Sequence, residues 1–210
     1  MDRQESIADH LNSAILFHNY VIEKHPNGTY KSTPRNSLFM ALCDIAHEHH
    51  GAIIVLVRNH QQHLGSALAL LRPLIETCIR AFWIVHCADD PAIESILKQT
   101  AGFPTLQKCG ESVNAHFEAE GFPNLFSLSK EYRNQLHGLT HSGLEQLQHR
   151  FDGQLTVKPS YPPKTICKLL KDATMWLAMA AIAQLVFIEG SDSSESQRFS
   201  RKYVELFEHS

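Results

Sequence analysis

The sequence lacks an apolar run long enough to cross a bilayer. Its most apolar stretch, Ala173 to Ile188, is about 16 residues long and carries Gln184, against the roughly 20 that a membrane-spanning helix needs. It reads as a buried helix, and no membrane partner is expected. The N-terminal residues MDRQESIADHLNS are acidic and polar where an export signal would be apolar, so a cytoplasmic location is expected. There is no C-x-x-C pair; the five Cys, at 43, 78, 87, 109 and 167, suit reduced core thiols. Nor is there an excess of positive charge. With 19 Lys plus Arg against 22 Asp plus Glu, the formal charge is -3, so any contact with RNA must be local rather than made by a global basic surface.

What is present is helical periodicity. Ile7, Leu11, Ile15 and Val21 recur at three-and-four spacing and predict an amphipathic helix over 3–24. HPNGTYKSTPRN, residues 25–36, reads as a loop. A long helix is expected from Ser37 to Gln62, and a second through SALALLRPLIETCIRAFWIVHC, kinked at Pro73 by the missing amide. Asp90 before Pro91 is read as an N-cap followed by the first helical residue. Two GFP tripeptides bracket a further short helix, and helices are expected over 125–137 and 143–151. Asp152-Gly153 marks a turn and QLTVKPSYPP an irregular or extended connection. Residues 164–189 are read as the central core helix, and 198–208 as a final amphipathic one. The expectation is an all-α, single-domain bundle of seven or eight helices, with a core at about 37–189 and the two terminal helices packed on it.

Two stretches carry possible chemistry. Arg72, Glu76 and Arg80 fall at four-residue steps on one face of an otherwise apolar helix, so Glu76 can pair with either Arg. Buried and unpaired, each charge would cost several kcal/mol. The ladder therefore either fixes helix register or lines a cleft. The second stretch is YRNQLHGLTHSGLE, residues 132–145. Arg133 and His137 share a helix face, Gly138 is expected to end that helix, and Ser142 with Glu145 reads as a capping box. Gly143 would then be the first residue of the next helix, with His141 just outside a helix N-terminus that attracts anions. A neutral His to accept the 2′-hydroxyl proton of RNA, a second group to protonate the leaving oxygen, and an Arg to stabilise charge on phosphorus would suffice for cleavage without a metal. His141, His137 and Arg133 are of those types, although His and Arg at helix ends also serve as caps and dipole partners.

The 14 His raise the question of a metal. In HEHH, residues 47–50, His47 and His50 are three apart and His49 points elsewhere; His60 and His63 are equally unspecific. These are read as solvated or capped histidines, with no metal and no cofactor.

SALALLRPLIETCIRAFWI, followed by LHGLTHSG and a long apolar C-terminal helix, resembles uncharacterised bacterial all-helical domains with an Arg-x-x-x-Glu helix and a Thr-His-Ser/Thr-Gly motif, over about Leu64 to Ile188. YRNQLHG also resembles the Arg-Asn…His segment of HEPN domains, with His137 nearer to Arg133 than is usual there and His141 further. That resemblance implies an up-and-down helical core, a homodimer, RNA as substrate, and a toxin-antitoxin or defence role with a possible antitoxin or other protein partner. Its site would combine Arg133, His137 and His141 with the polar network of Arg72, Glu76, Arg80 and Ser142. The alternative is a non-catalytic dimeric interaction module in which the Arg, Glu and His network is structural.

Overall fold

The structure, a computed structural model, describes residues 6–24, 32–59, 63–121, 130–141, 143–150, 160–186 and 193–207. Among them are nine helices and no strand: α1 (Ile7–Lys24), α2 (Pro34–Arg58), α3 (Leu64–His86), α4 (Asp90–Leu97), α5 (Leu106–Ala119), α6 (Lys130–Thr140), α7 (Leu144–Gln148), α8 (Pro163–Gln184) and α9 (Ser193–Phe207). The fold is an all-α bundle, with one more helix than the sequence suggested. The Asp152-Gly153 turn and most of the connection after it lie outside the described residues.

Local chemistry moves several boundaries. α2 begins at Pro34, three residues before Ser37, because Thr33 caps it: its hydroxyl accepts from the Asn36 amide, and Pro34 needs no partner for an amide it lacks. At α4 the cap is Asp89, not Asp90, with the Asp89 carboxylate accepting from the Ala92 amide. α9 starts at Ser193, five residues before the expected Arg198. Pro73 sits inside α3, which runs on unbroken past it.

The centre of the core is α3, together with α8, and not α8 alone. α3 is packed by α2, α5, α6 and α8, and its buried residues, from Leu64 and Leu68 through Leu74, Ile75 and Ile79 to Ile84, cover most of its circumference. Against the expectation that no stretch is long and apolar enough to cross a membrane, α2 is so by length and composition, yet Phe39, Cys43, Ala46, His50, Ile53 and Val57 follow a helical stripe into the core. Arg35, at the start of α2, holds the far end of α3 by donating to the carbonyls of Ile84 and Ala88 and pairing with Asp90. Such a cation suits the negative end of a helix. A smaller apolar cluster, built on Phe17, Leu177 and Phe199, ties α1 and α9 to α8.

α6 lies on α3, held by buried Leu136 and Leu139. It does not stop at Gly138. That glycine is helical and buried, and α6 continues through Thr140 before the Gly143 amide closes back on the Gly138 carbonyl at 2.7 Å. α7 consequently starts at Leu144 with Gly143 as its cap, which has no side chain to donate to the role. Ser142, the expected cap, lies outside the described residues.

Candidate functional site

The Arg and Glu ladder of α3 and the Arg and His face of α6 meet. Glu76 accepts from Arg72 Nε at 2.7 Å through Oε1 and faces Arg80 Nη2 at 3.6 Å through Oε2. Across the interface, Arg72 Nη1 donates to Nδ1 of His137 at 2.6 Å. A guanidinium has only donors, so Nδ1 must be the acceptor and the proton of neutral His137 must sit on Nε2. The His141 ring lies one turn on, 4.5 Å from that of His137 between centroids. Both imidazoles are exposed.

Beside this junction is a cleft of about 250 Å³, walled by Arg72, Ile75 and Glu76 of α3, by the first turn of α5, and by Arg133 and Leu136 of α6. Arg133 makes no ion pair among the described residues. Among the residues that line the cleft, Arg72 and Arg133 thus set two guanidinium charges against the carboxylate of Glu76. Thr105 caps α5 by accepting from the Lys108 amide. Leu106 and Gln107, the next residues, hold first-turn amides with no carbonyl inside α5 to bond, and both residues line the cleft. The cleft is therefore a concentration of positive potential at one spot on a chain of net charge -3.

Of the residues singled out in the sequence, Arg72, Glu76 and Arg133 line the cleft and His137 stands at its edge through Arg72. His141 is a further step along α6, on the exposed side. Arg80 is one turn beyond Glu76, with its guanidinium over the Phe103 ring at 5.3 Å. The first turn of α5 was missed: only Thr105 as a cap residue was available as a signal.

The HEHH histidines are not simply solvated. His50 is fully buried and its Nε2 lies 3.0 Å from Thr174 Oγ1, which itself donates to the Leu170 carbonyl. Thr174 must then accept from His50 Nε2–H. The lone pair left on His50 Nδ1 faces His18 Nδ1 at 3.1 Å, so His18 is the donor of that pair. Burial holds the His50 pKa well below its ordinary value, with His18 and His47 adding to the effect, and burial also lowers that of His18. Among the described residues no group of three His, Cys, Asp or Glu side chains converges to hold a metal ion.

Fold and site together define an all-helical protein with an arginine-rich cleft under a ridge of paired histidines. The chain belongs to a family of unknown function, DUF6988, whose model matches residues 43–209. That span contains all three walls of the cleft and agrees with the resemblance to an uncharacterised helical family. Neither a curated protein nor a solved structure matches the chain.

Proposed function

We propose that the protein binds phosphate esters in the α3–α5–α6 cleft and cleaves RNA there without a metal, as a HEPN-like endoribonuclease. The observation that carries this reading is the convergence of Arg72 and Arg133, the latter without an ion pair among the described residues, on one cleft, with a histidine whose tautomer is fixed by Arg72 at its edge. The two guanidiniums would hold the phosphate and stabilise the charge that builds on phosphorus. His141 would take the 2′-hydroxyl proton as the oxygen attacks phosphorus. His137, whose Nδ1 is held by Arg72, would donate an Nε2–H hydrogen bond to a phosphate oxygen, while a water gives its proton to the 5′-oxygen as the P–O bond breaks and takes the one held by His141, leaving a 2′,3′-cyclic phosphate and a 5′-hydroxyl. General acid and base steps of this kind are each worth about 100-fold or more in rate.

In this reading the protein is bacterial, cytoplasmic and dimeric, and serves a defence or toxin-antitoxin system. The test is incubation of labelled single-stranded RNA with purified protein in a chelator. The expected products carry cyclic phosphate ends, and Arg133→Ala and His141→Ala each slow their formation by about 100-fold or more. RNA left intact by the wild-type protein, or cleaved equally by the variants, removes the enzyme reading.

A second reading, a non-catalytic dimeric module, is favoured by α7, where Leu144 is 72% and Leu147 48% exposed. Paired large apolar side chains on so short a helix suit a protein interface. In that case light scattering gives a dimer that Leu144→Glu with Leu147→Glu converts to a monomer, while Arg133→Ala leaves it intact.

A further inference from the structure

A second cleft runs along the other side of α6. It encloses about 280 Å³ between α3, α6 and α8, floored by Leu68, Leu71 and Leu169 and rimmed by Gln135, Thr165 and Asp172. Leu136 lines both clefts. α6 is thus a single helix lying in a trough, with a cationic cleft on one flank and an apolar cleft with a polar rim on the other.

The polar rim of the second cleft is organised. Asp172 Oδ2 accepts from the Tyr132 hydroxyl at 3.0 Å and from Lys168 Nζ at 2.5 Å, and Lys168 lies over the Tyr132 ring at 5.5 Å. Both bonds fall on the same oxygen. Oδ1, which takes no hydrogen bond among the described residues, can accept from a ligand N–H, and exposed Gln135 brings both a donor and an acceptor to the same rim. An apolar floor with a few edge-directed donors and acceptors is the environment of a flat heteroaromatic ring.

The surface between the clefts gives the ligand its identity. At 3.6 residues per turn, Arg133, His137, His141 and Asn134 succeed one another around the outside of α6, and Gln135 lies beyond them on the far flank. His137, His141 and Asn134 are all exposed. A ligand that occupies both clefts must therefore lie across the two histidines. The helix it crosses is about 10–12 Å wide with its side chains, a span suited to a nucleotide or a short piece of single strand and too long for a lone phosphate.

We propose that single-stranded RNA lies across α6, with a phosphate in the cationic cleft and a neighbouring base in the α6–α8 cleft. This rests on the phosphate-site reading above and extends it: the second cleft is a base subsite, and it draws the intervening backbone over His137 and His141. Substrate selection then belongs to nucleotides and polynucleotides, not to free phosphate.

Calorimetric titration with three probes tests this: inorganic phosphate, a nucleoside, and a 2′-deoxy dinucleoside monophosphate that cannot be cleaved through a 2′-hydroxyl. The dinucleotide should bind roughly 10-fold or more tighter than phosphate, the gain expected from seating one base. Gln135→Trp, at an exposed position where a large ring covers the α6–α8 cleft, should abolish that gain and leave phosphate affinity within about 2-fold. Arg133→Ala should do the reverse to phosphate. A dinucleotide that binds no tighter than phosphate, or a gain that survives Gln135→Trp, overturns the base subsite and leaves the phosphate site standing. Nucleoside binding lost in Gln135→Trp, with no phosphate binding at all, supports the base cleft and removes the phosphate reading. Binding of none of the three probes overturns both.

Discussion

Arg72 of α3 and His137 of α6, 65 residues apart in the chain, are joined by a 2.6 Å hydrogen bond in which the guanidinium donates to Nδ1. The bond ties the register ladder of one helix to the exposed histidine pair of the other. It also decides which ring nitrogen of His137 faces outward as a donor.

The first prediction follows from that bond. Long-range proton–nitrogen correlation spectra in mildly alkaline buffer should show His137 with Nε2 protonated and Nδ1 bare. Arg72→Ala should give a mixture of tautomers. A wild-type ring protonated at Nδ1 would contradict the geometry.

Glu76 bridges two arginines, but none of the three lies in the dry core: the side chains are 19% exposed for Glu76, 26% for Arg72 and 32% for Arg80. Water can reach both guanidiniums when the carboxylate is removed. The several kcal/mol that a fully buried ladder would imply is therefore too much, and Glu76→Ala should cost about 1–2 kcal/mol in urea unfolding. Glu76→Gln, which keeps an acceptor for Arg72, should cost less. An unchanged midpoint for Glu76→Ala would place the carboxylate outside the network.

Acid should destabilise the protein through His50. Its folded pKa lies well below the unfolded value of 6.5 because of burial, so the unfolded chain binds the extra proton. The contribution of neutral His50 is fully present above pH 6.5 and is lost progressively as pH falls below it. Urea midpoints below that pH should fall steeply in the wild type and less steeply in His50→Gln, with His18 and His86, also lowered by burial, supplying the remaining slope. Equal slopes in the two proteins would remove His50 as the cause.

Two helical glycines should respond to alanine in opposite directions. A Cβ at Gly51 would meet only the His18 ring at 3.4 Å, an ordinary contact, so Gly51→Ala should stabilise α2 by about 0.5–1 kcal/mol. At Gly65 the same atom would stand 2.6 Å from the Tyr161 hydroxyl and 3.2 Å from Arg150 Nη2. Tyr161 is partly buried, and its ring is stacked on His149. Gly65→Ala should therefore destabilise by about 1–3 kcal/mol. Thermal melts of the pair check both signs, and two shifts in the same direction would be inconsistent with the packing.

Much of the fold is legible in the residues because helices are specified locally. The three-and-four spacing of Ile7, Leu11 and Ile15 and the Arg72–Glu76 step both act within one or two turns. The errors fall where a local signal is overruled from outside. Gly138 is a residue that often ends helices, yet at this position it is packed and its carbonyl is taken by the Gly143 amide. Its small size serves burial, not termination. HEHH carries no mark that His50 is buried and bonded to Thr174, 124 residues away. Tyr132 and Asp172, partners across the second cleft, likewise share no motif.

By itself the sequence determined an all-helical chain without a global basic surface, and it placed three arginines, a glutamate and His137 on particular faces of two helices, with His141 at the corner that follows. Those are consequences of 3.6-residue periodicity and of charge, which each segment carries with it. Tertiary structure alone decided that α6 lies on α3 at the height where Arg72 reaches His137, and that Arg133 and the first turn of α5 close a cleft beside them. It also decided that α8 makes a second cleft on the far side. How helices cross depends on how side chains from distant segments interlock at their contact, and a periodic pattern says which face is buried without saying against what.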